Sequence, residues 1–162
     1  MVWTRMKQCL LAIAAVLMIS PGAQAAPESL EGRWLTGKRK VAITLFPCGD
    51  EFCGRIDWLA KPYTSEGTLK IDSENPDPSL RDRPYCGIQV ITKLRESRPG
   101  VWKGGDLYNP QDGRTYDIQI KTDGDGLKVR AYLGVKLLGK TENWIAAPED
   151  TPGCVEAADA ES

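Results

Sequence analysis

The chain has 162 residues, 41% hydrophobic and 27% charged, with 21 basic against 22 acidic residues and a net charge of −1. That size and composition fit one globular domain, and the near-balanced charge excludes a strongly basic nucleic-acid binder. The chain has no histidine, which excludes a Ser-His-Asp triad, a histidine general base and every histidine-ligated metal site.

Residues 1–25 read as a secretory signal peptide. Arg5 and Lys7 precede the apolar run Cys9 to Ile19, Ser20-Pro21-Gly22 breaks it, and Ala23-Gln24-Ala25 supplies small residues at a cleavage site. The run is too short for a membrane span, which needs about 20 residues. Cys9 sits inside it and leaves with the signal. Cleavage after Ala25 or Ala26 is expected, giving a periplasmic or secreted bacterial product without a membrane span. Loss of Arg5 and Lys7 leaves 19 basic against 22 acidic residues. The mature chain divides into a domain over 26–147 and an acidic tail over 148–162.

Four cysteines remain, Cys48, Cys53, Cys86 and Cys154, and an even count in an exported protein reads as two disulfides. Three pairings are possible. Cys48 and Cys53 flank a hairpin turn at 49–52, where local closure is easy; that leaves Cys86 with Cys154, which pins the tail. A redox pair would want the C-x-x-C spacing and a helix N-terminus, and a thiolate metal site would want paired knuckles; the sequence shows neither. No metal and no cofactor is expected.

The mature chain predicts strands. They fall at 30–35, 41–46, 52–59, 87–94, 101–108 (interrupted by Gly104-Gly105), 115–120, 127–133 and 137–146. In the third, alternation puts Phe52, Gly54, Ile56 and Trp58 on one face and Cys53, Arg55, Asp57 and Leu59 on the other. In the seventh, Leu127, Val129, Ala131 and Leu133 oppose Lys128, Arg130 and Tyr132, which places the latter face outward. Residues 60–86 hold Pro62, Pro76, Pro78 and Pro84 and read as a long loop, with a helical turn near Pro78. Its apolar and aromatic residues favour order, and loops of this length are usually functional or disordered. Eight short sequential strands must close or pair with a second sheet. An all-β, eight-stranded up-and-down antiparallel barrel is expected, with a two-sheet sandwich as its rival. Gly32-x-Trp34 at the first strand favours the barrel, as in lipocalin-like barrels where the Trp packs across the bottom.

The chain resembles the bacterial secreted domain-of-unknown-function family 2147. The resemblance covers residues 30–146 and rests on Gly32-Arg33-Trp34, Phe52-Cys53-Gly54-Arg55-Ile56, Asn75-Pro76-Asp77-Pro78-Ser79-Leu80-Arg81 with Arg83-Pro84, and Gly87-Ile88. It continues through Trp102, Gly105-Asp106-Leu107-Tyr108-Asn109-Pro110, Gly113-Arg114-Thr115-Tyr116, Leu127 to Gly134, and Trp144. Asn109 and Ala131 depart from the family's usual Asp and Gly. The resemblance implies a lipocalin-like barrel of the cell envelope and no established activity.

Chemistry is sparse. Asp57, Asp72, Asp77, Asp106, Asp112 and Asp117 are not fixed in pairs by spacing, as a glycosidase requires, and Asp123-Gly-Asp125-Gly126 is a hairpin turn, not a calcium loop. Asp72, Asn75, Asp77, Arg81 and Arg83 form the densest polar set; it reads first as the glue of the loop and second as an anion-binding patch at the mouth. Trp58, Trp102, Tyr108, Tyr116, Tyr132 and Trp144 recur on strands, either as packed core or as the lining of a cavity for a ligand. The leading expectation is a non-enzymatic module binding a small apolar or amphipathic molecule. The alternative is a structural or protein-interaction domain of the envelope with a packed barrel, acting on an envelope protein through the 60–86 loop. No nucleic-acid partner is expected.

Overall fold

The computed structural model describes residues 29–154. The expected signal peptide and residues 155–162 of the acidic tail lie outside them. Eight antiparallel strands close into a barrel in sequential order: β1 Gly32–Leu35, β2 Val41–Cys48, β3 Glu51–Leu59, β4 Gln89–Arg98, β5 Val101–Asn109, β6 Arg114–Asp123, β7 Gly126–Tyr132 and β8 Lys140–Ala146. Every neighbour is the next in sequence, and closure is made by β1 on β8, with Trp34 opposite Ala146 and Leu35 opposite Ile145. This is the expected eight-stranded up-and-down barrel. A closed sheet of this kind has no unpaired edge.

The eighth strand is shorter than the sequence suggests. Lys136–Leu138 form a 3-10 turn and the strand starts at Lys140. β4 runs on to Arg98. A 3-10 turn at Pro78–Leu80 begins where Asp77 caps the backbone N–H of Ser79; proline at the first position suits a turn start.

Up-and-down order puts alternate connections at the same end. Segments 36–40, 60–88, 110–113 and 133–139 gather at one end, the mouth. The short turns at 49–50, 99–100 and 124–125 gather at the other, the floor. The floor half is solid. Trp34, Leu45, Ile91, Leu94, Trp102, Ile118, Ile120 and Leu127 are buried there, and Leu30 covers the end, its carbonyl accepting from Trp34 Nε1 at 3.1 Å. Two glycines make room for side chains of the neighbouring strands to pack over them. A Cβ at Gly54 would stand 2.8 Å from Leu45 and 3.1 Å from Ile91; one at Gly105 would stand 2.9 Å from both Ile118 and Leu94. The sequence suggests a bulge or close packing at Gly54, and both occur, since the register against β4 shifts on either side of it.

The cysteines pair as Cys48–Cys53 across the β2–β3 turn and Cys86–Cys154. After β8 the chain returns along the outside of the barrel. There the Arg33 guanidinium donates to the carbonyls of Thr151 and Pro152 and pairs with Asp57.

Candidate binding cavity at the barrel mouth

Above the packed floor the barrel is hollow. A cavity of about 690 Å³ opens between the mouth segments. Ile43, Ile56, Leu59, Val90, Leu107 and Val129 make its walls, and Trp144 is the aromatic at its base. Each wall residue lies on the inward face of its strand, so the hydrophobic alternation that closes the barrel also makes the walls apolar. Polar groups sit toward the opening. Lys140 and Glu142 are ion-paired at 3.0 Å. The Tyr116 hydroxyl donates to Asp112 Oδ2 at 2.6 Å, and Tyr85 donates to the Pro110 carbonyl at 2.9 Å. The hydrogen bond to Asp112 holds the Tyr116 phenol above its ordinary pKa, and burial does the same for Tyr85. Both remain neutral donors at physiological pH.

The six aromatics singled out from the sequence separate by height and by face. Tyr116, Tyr132 and Trp144 line the cavity; for Tyr132 this corrects the outward face that alternation gives it, because it is the last residue of β7 and stands where the wall ends at the mouth. Trp102 is inward but belongs to the solid floor, edge-to-face with Phe52 at 6.4 Å; its Nε1 has no hydrogen-bond partner among the described residues. Trp58 is outside the cavity lining. Ala42 pairs with Trp58 while Ile43 pairs with Ile56, leaving Asp57 as an extra residue, and this bulge hands the inward position to Leu59. Tyr108 is displaced by the same device. Trp102 pairs with Ile120 but Gly105 with Ile118, so Leu107 lines the cavity and Tyr108 turns to the long loop. Lys140 and Glu142 were not singled out, although they share alternation with Trp144 in β8; that spacing was the available signal.

The polar set of the long loop is a structural network. Asp72 is 0% exposed. Its Oδ2 accepts from Arg83 Nε at 2.9 Å, Arg83 Nη2 at 2.8 Å and Asn75 Nδ2 at 2.7 Å, and its Oδ1 accepts from Tyr108 at 2.6 Å. Arg81 donates to the Asn75 carbonyl, and Asn75 Oδ1 accepts from the Asp77 N–H. Asp72, Asn75, Arg81 and Arg83 thus spend their polar groups on one another, on Tyr108 and on loop backbone, while Asp77 caps the 3-10 turn; none of the five lines the cavity. Gly113 seats the loop against the β5–β6 turn, since a Cβ there would come 2.0 Å from the Glu74 carbonyl oxygen at a φ of +67°. Arg130, outward as expected, braces the β7–β8 segment by donating to the carbonyls of Lys136 and Leu137. Among the described residues no three Cys, Asp or Glu are placed to hold a metal ion.

Burial and the hydrogen bond to Asp72 push the Tyr108 phenol up to about 12. Its folded value lies above the ordinary 10, so its contribution to stability is complete below pH 10 and is lost as pH rises through about 12. Phenolate absorbance titration of wild type against Tyr108→Phe should show the missing tyrosine among the latest to ionise. A missing step at or below pH 10 would refute the assignment.

The sequence pattern of a family described as "Uncharacterized protein conserved in bacteria" (DUF2147) matches residues 32–146. Among solved structures, the chain is similar to protein HP1028 from Helicobacter pylori, which is described as belonging to the lipocalin family. The TM-score is 0.65 at 25% identity, covering 75% of this chain and 85% of that one. No curated protein matches the chain.

Proposed function

The chain belongs to the DUF2147 family of bacterial proteins, and from that premise, joined to its lipocalin-like barrel, we propose that it is a non-enzymatic binding module for a small apolar or amphipathic molecule. The observation that carries this reading is the one-ended cavity of about 690 Å³, apolar below and polar at its lip. Ligand pockets commonly enclose roughly 300–1,000 Å³ and place a few polar groups against a hydrophobic wall. The geometry suits a molecule whose tail lies on Trp144 and whose head reaches Tyr116 or the Lys140–Glu142 pair. Burying about 200 Å² of ligand contributes roughly 5 kcal/mol before the costs of association, enough for weak capture that head-group contacts would strengthen. Export fits the same reading. Arg5, Lys7, the apolar run and Ala23-x-Ala25 supply a signal, and two disulfides suit an oxidising compartment. Intact mass of protein recovered from the periplasm should then begin at Ala26 or Pro27, followed by a single barrel over 26–147 and its tethered tail.

The test is a titration of intrinsic tryptophan fluorescence with fatty acids, quinones and lysolipids. Wild type should respond saturably. Trp144→Phe should lose most of the change, Trp102→Phe should keep it, and Tyr116→Ala should weaken binding by about tenfold. A response carried by Trp102, or none from any compound, would reject the cavity as a binding site. The envelope-interaction reading through the 60–86 loop, where Leu69, Ile71 and Leu80 are exposed, would then take its place.

A further inference from the structure

We propose that the β7–β8 loop and the β1–β2 hairpin form a docking surface for an anionic lipid bilayer, placed so that the cavity mouth meets the membrane; this rests on the cavity being a binding site for an amphipathic molecule. The loop presents four large apolar residues within six positions: Leu133 is 51% exposed, Val135 56%, Leu137 85% and Leu138 83%. Single exposed leucines are ordinary, but a contiguous exposed cluster marks a contact surface.

The loop is held in this pose. The Arg130 guanidinium donates to the Lys136 carbonyl at 2.7 and 3.0 Å, to the Leu137 carbonyl at 3.0 Å and to Thr141 Oγ1 at 2.7 Å. Lys136 turns back to Gln119, which is buried beneath it. The backbone is thereby satisfied from below while Leu137 and Leu138 stand out on the 3-10 turn. Such a protruding tip suits a deformable medium more than a shaped protein groove.

Charge names the medium. β1 pairs with β8, so the hairpin at 36–40 flanks the loop; a Cβ on Gly37 would stand 3.0 Å from Glu142 Cβ. It carries Lys38, Arg39 and Lys40, all exposed, and none takes part in an ion pair among the described residues. Three unpaired cations beside an apolar tip match lipid phosphates above an acyl boundary. Thr36 and Leu138 both line the cavity, so a docked barrel would exchange its ligand with the bilayer without passing it through bulk water.

The test uses the mature protein and phosphatidylcholine vesicles with and without phosphatidylglycerol, at low salt. Wild type should cosediment with the anionic vesicles and much less with the neutral ones. Lys38→Ser/Arg39→Ser/Lys40→Ser should weaken binding on the order of 100-fold, and Val135→Ser/Leu137→Ser, which leaves the cavity lining untouched, by at least about tenfold. Both variants should keep the wild-type melting temperature and the fluorescence response to a soluble fatty acid in vesicle-free solution. Wild type that ignores anionic vesicles, or variants that bind them equally well, would overturn the proposal. So would a wild-type dimer that the Val135→Ser/Leu137→Ser variant dissociates, because the tip would then join two copies of the chain. If wild type lacks the fatty-acid response, it is the cavity reading that fails, while vesicle binding lost in these variants still supports the docking surface.

Discussion

Asp72→Ala is expected to destabilise the protein by about 3 kcal/mol, measured as the shift in a urea unfolding midpoint at neutral pH. Asp72 has no contact with solvent and accepts four hydrogen bonds, two of them from the Arg83 guanidinium. Alanine leaves Tyr108, Asn75 and Arg83 without their acceptor. Arg83 is partly exposed and regains water, which keeps the loss near the lower end of the range for breaking a buried pair. Tyr108→Phe removes one of the four bonds and should cost about 1 kcal/mol. The ordering of the two variants is the sharper part of the expectation. The long loop should also become the first site of proteolytic cleavage in Asp72→Ala, since the network ties residues 72–83 to β5. A loss below about 1 kcal/mol for Asp72→Ala would mean that the network is dispensable.

Replacing Cys86 and Cys154 together by alanine is expected to cost about 4 kcal/mol. The bond spans 68 residues, and chain-entropy arguments give about that much for cross-linking the unfolded state over such a loop. Cys48–Cys53 spans 5 residues and its loss should cost markedly less. The Cys86–Cys154 variant should also free the tail from the outside of the barrel, releasing the contacts of Arg33 with Thr151 and Pro152. Equal midpoint shifts for the two double variants would refute the loop-length account.

Much of the barrel was legible because β alternation is a local signal. Tyr116, Ile118 and Ile120 read as one face of β6, and Leu127 and Val129 as one face of β7; the structure buries Ile118, Ile120, Leu127 and Val129 and half-buries Tyr116 at the mouth. The Cys48–Cys53 hairpin was likewise readable, because its closure depends only on a short turn. The faces of Trp58 and Tyr108 were not legible. A single extra residue at Asp57, and another where Gly104 takes a φ of +73°, invert every position beyond them, and the sequence around a bulge resembles an ordinary strand. Trp102 and Trp144 show a second limit. Alternation assigns both to the interior and says nothing about height. Height decides whether an inward ring is packed or lines a void, and the level at which the packed floor gives way to the cavity is visible only in the closed barrel. The polar loop set was recognised as glue, but its anchor, Tyr108, lies far along the chain from it.

Closure of β1 on β8 also imposes an order on biosynthesis. Leu35 emerges early and pairs with β2 at once, yet its other flank stays bare until Ile145 follows. Cys86 likewise waits for Cys154. An open strand flank is a template for wrong partners, so a nascent chain of this design is most vulnerable just before completion. Folding must be a terminal event rather than a progressive one. A chain stopped short of β8 would be not a smaller binder but a sheet with two raw margins and Trp34 in its unclosed interior, the kind of product that quality-control proteases remove.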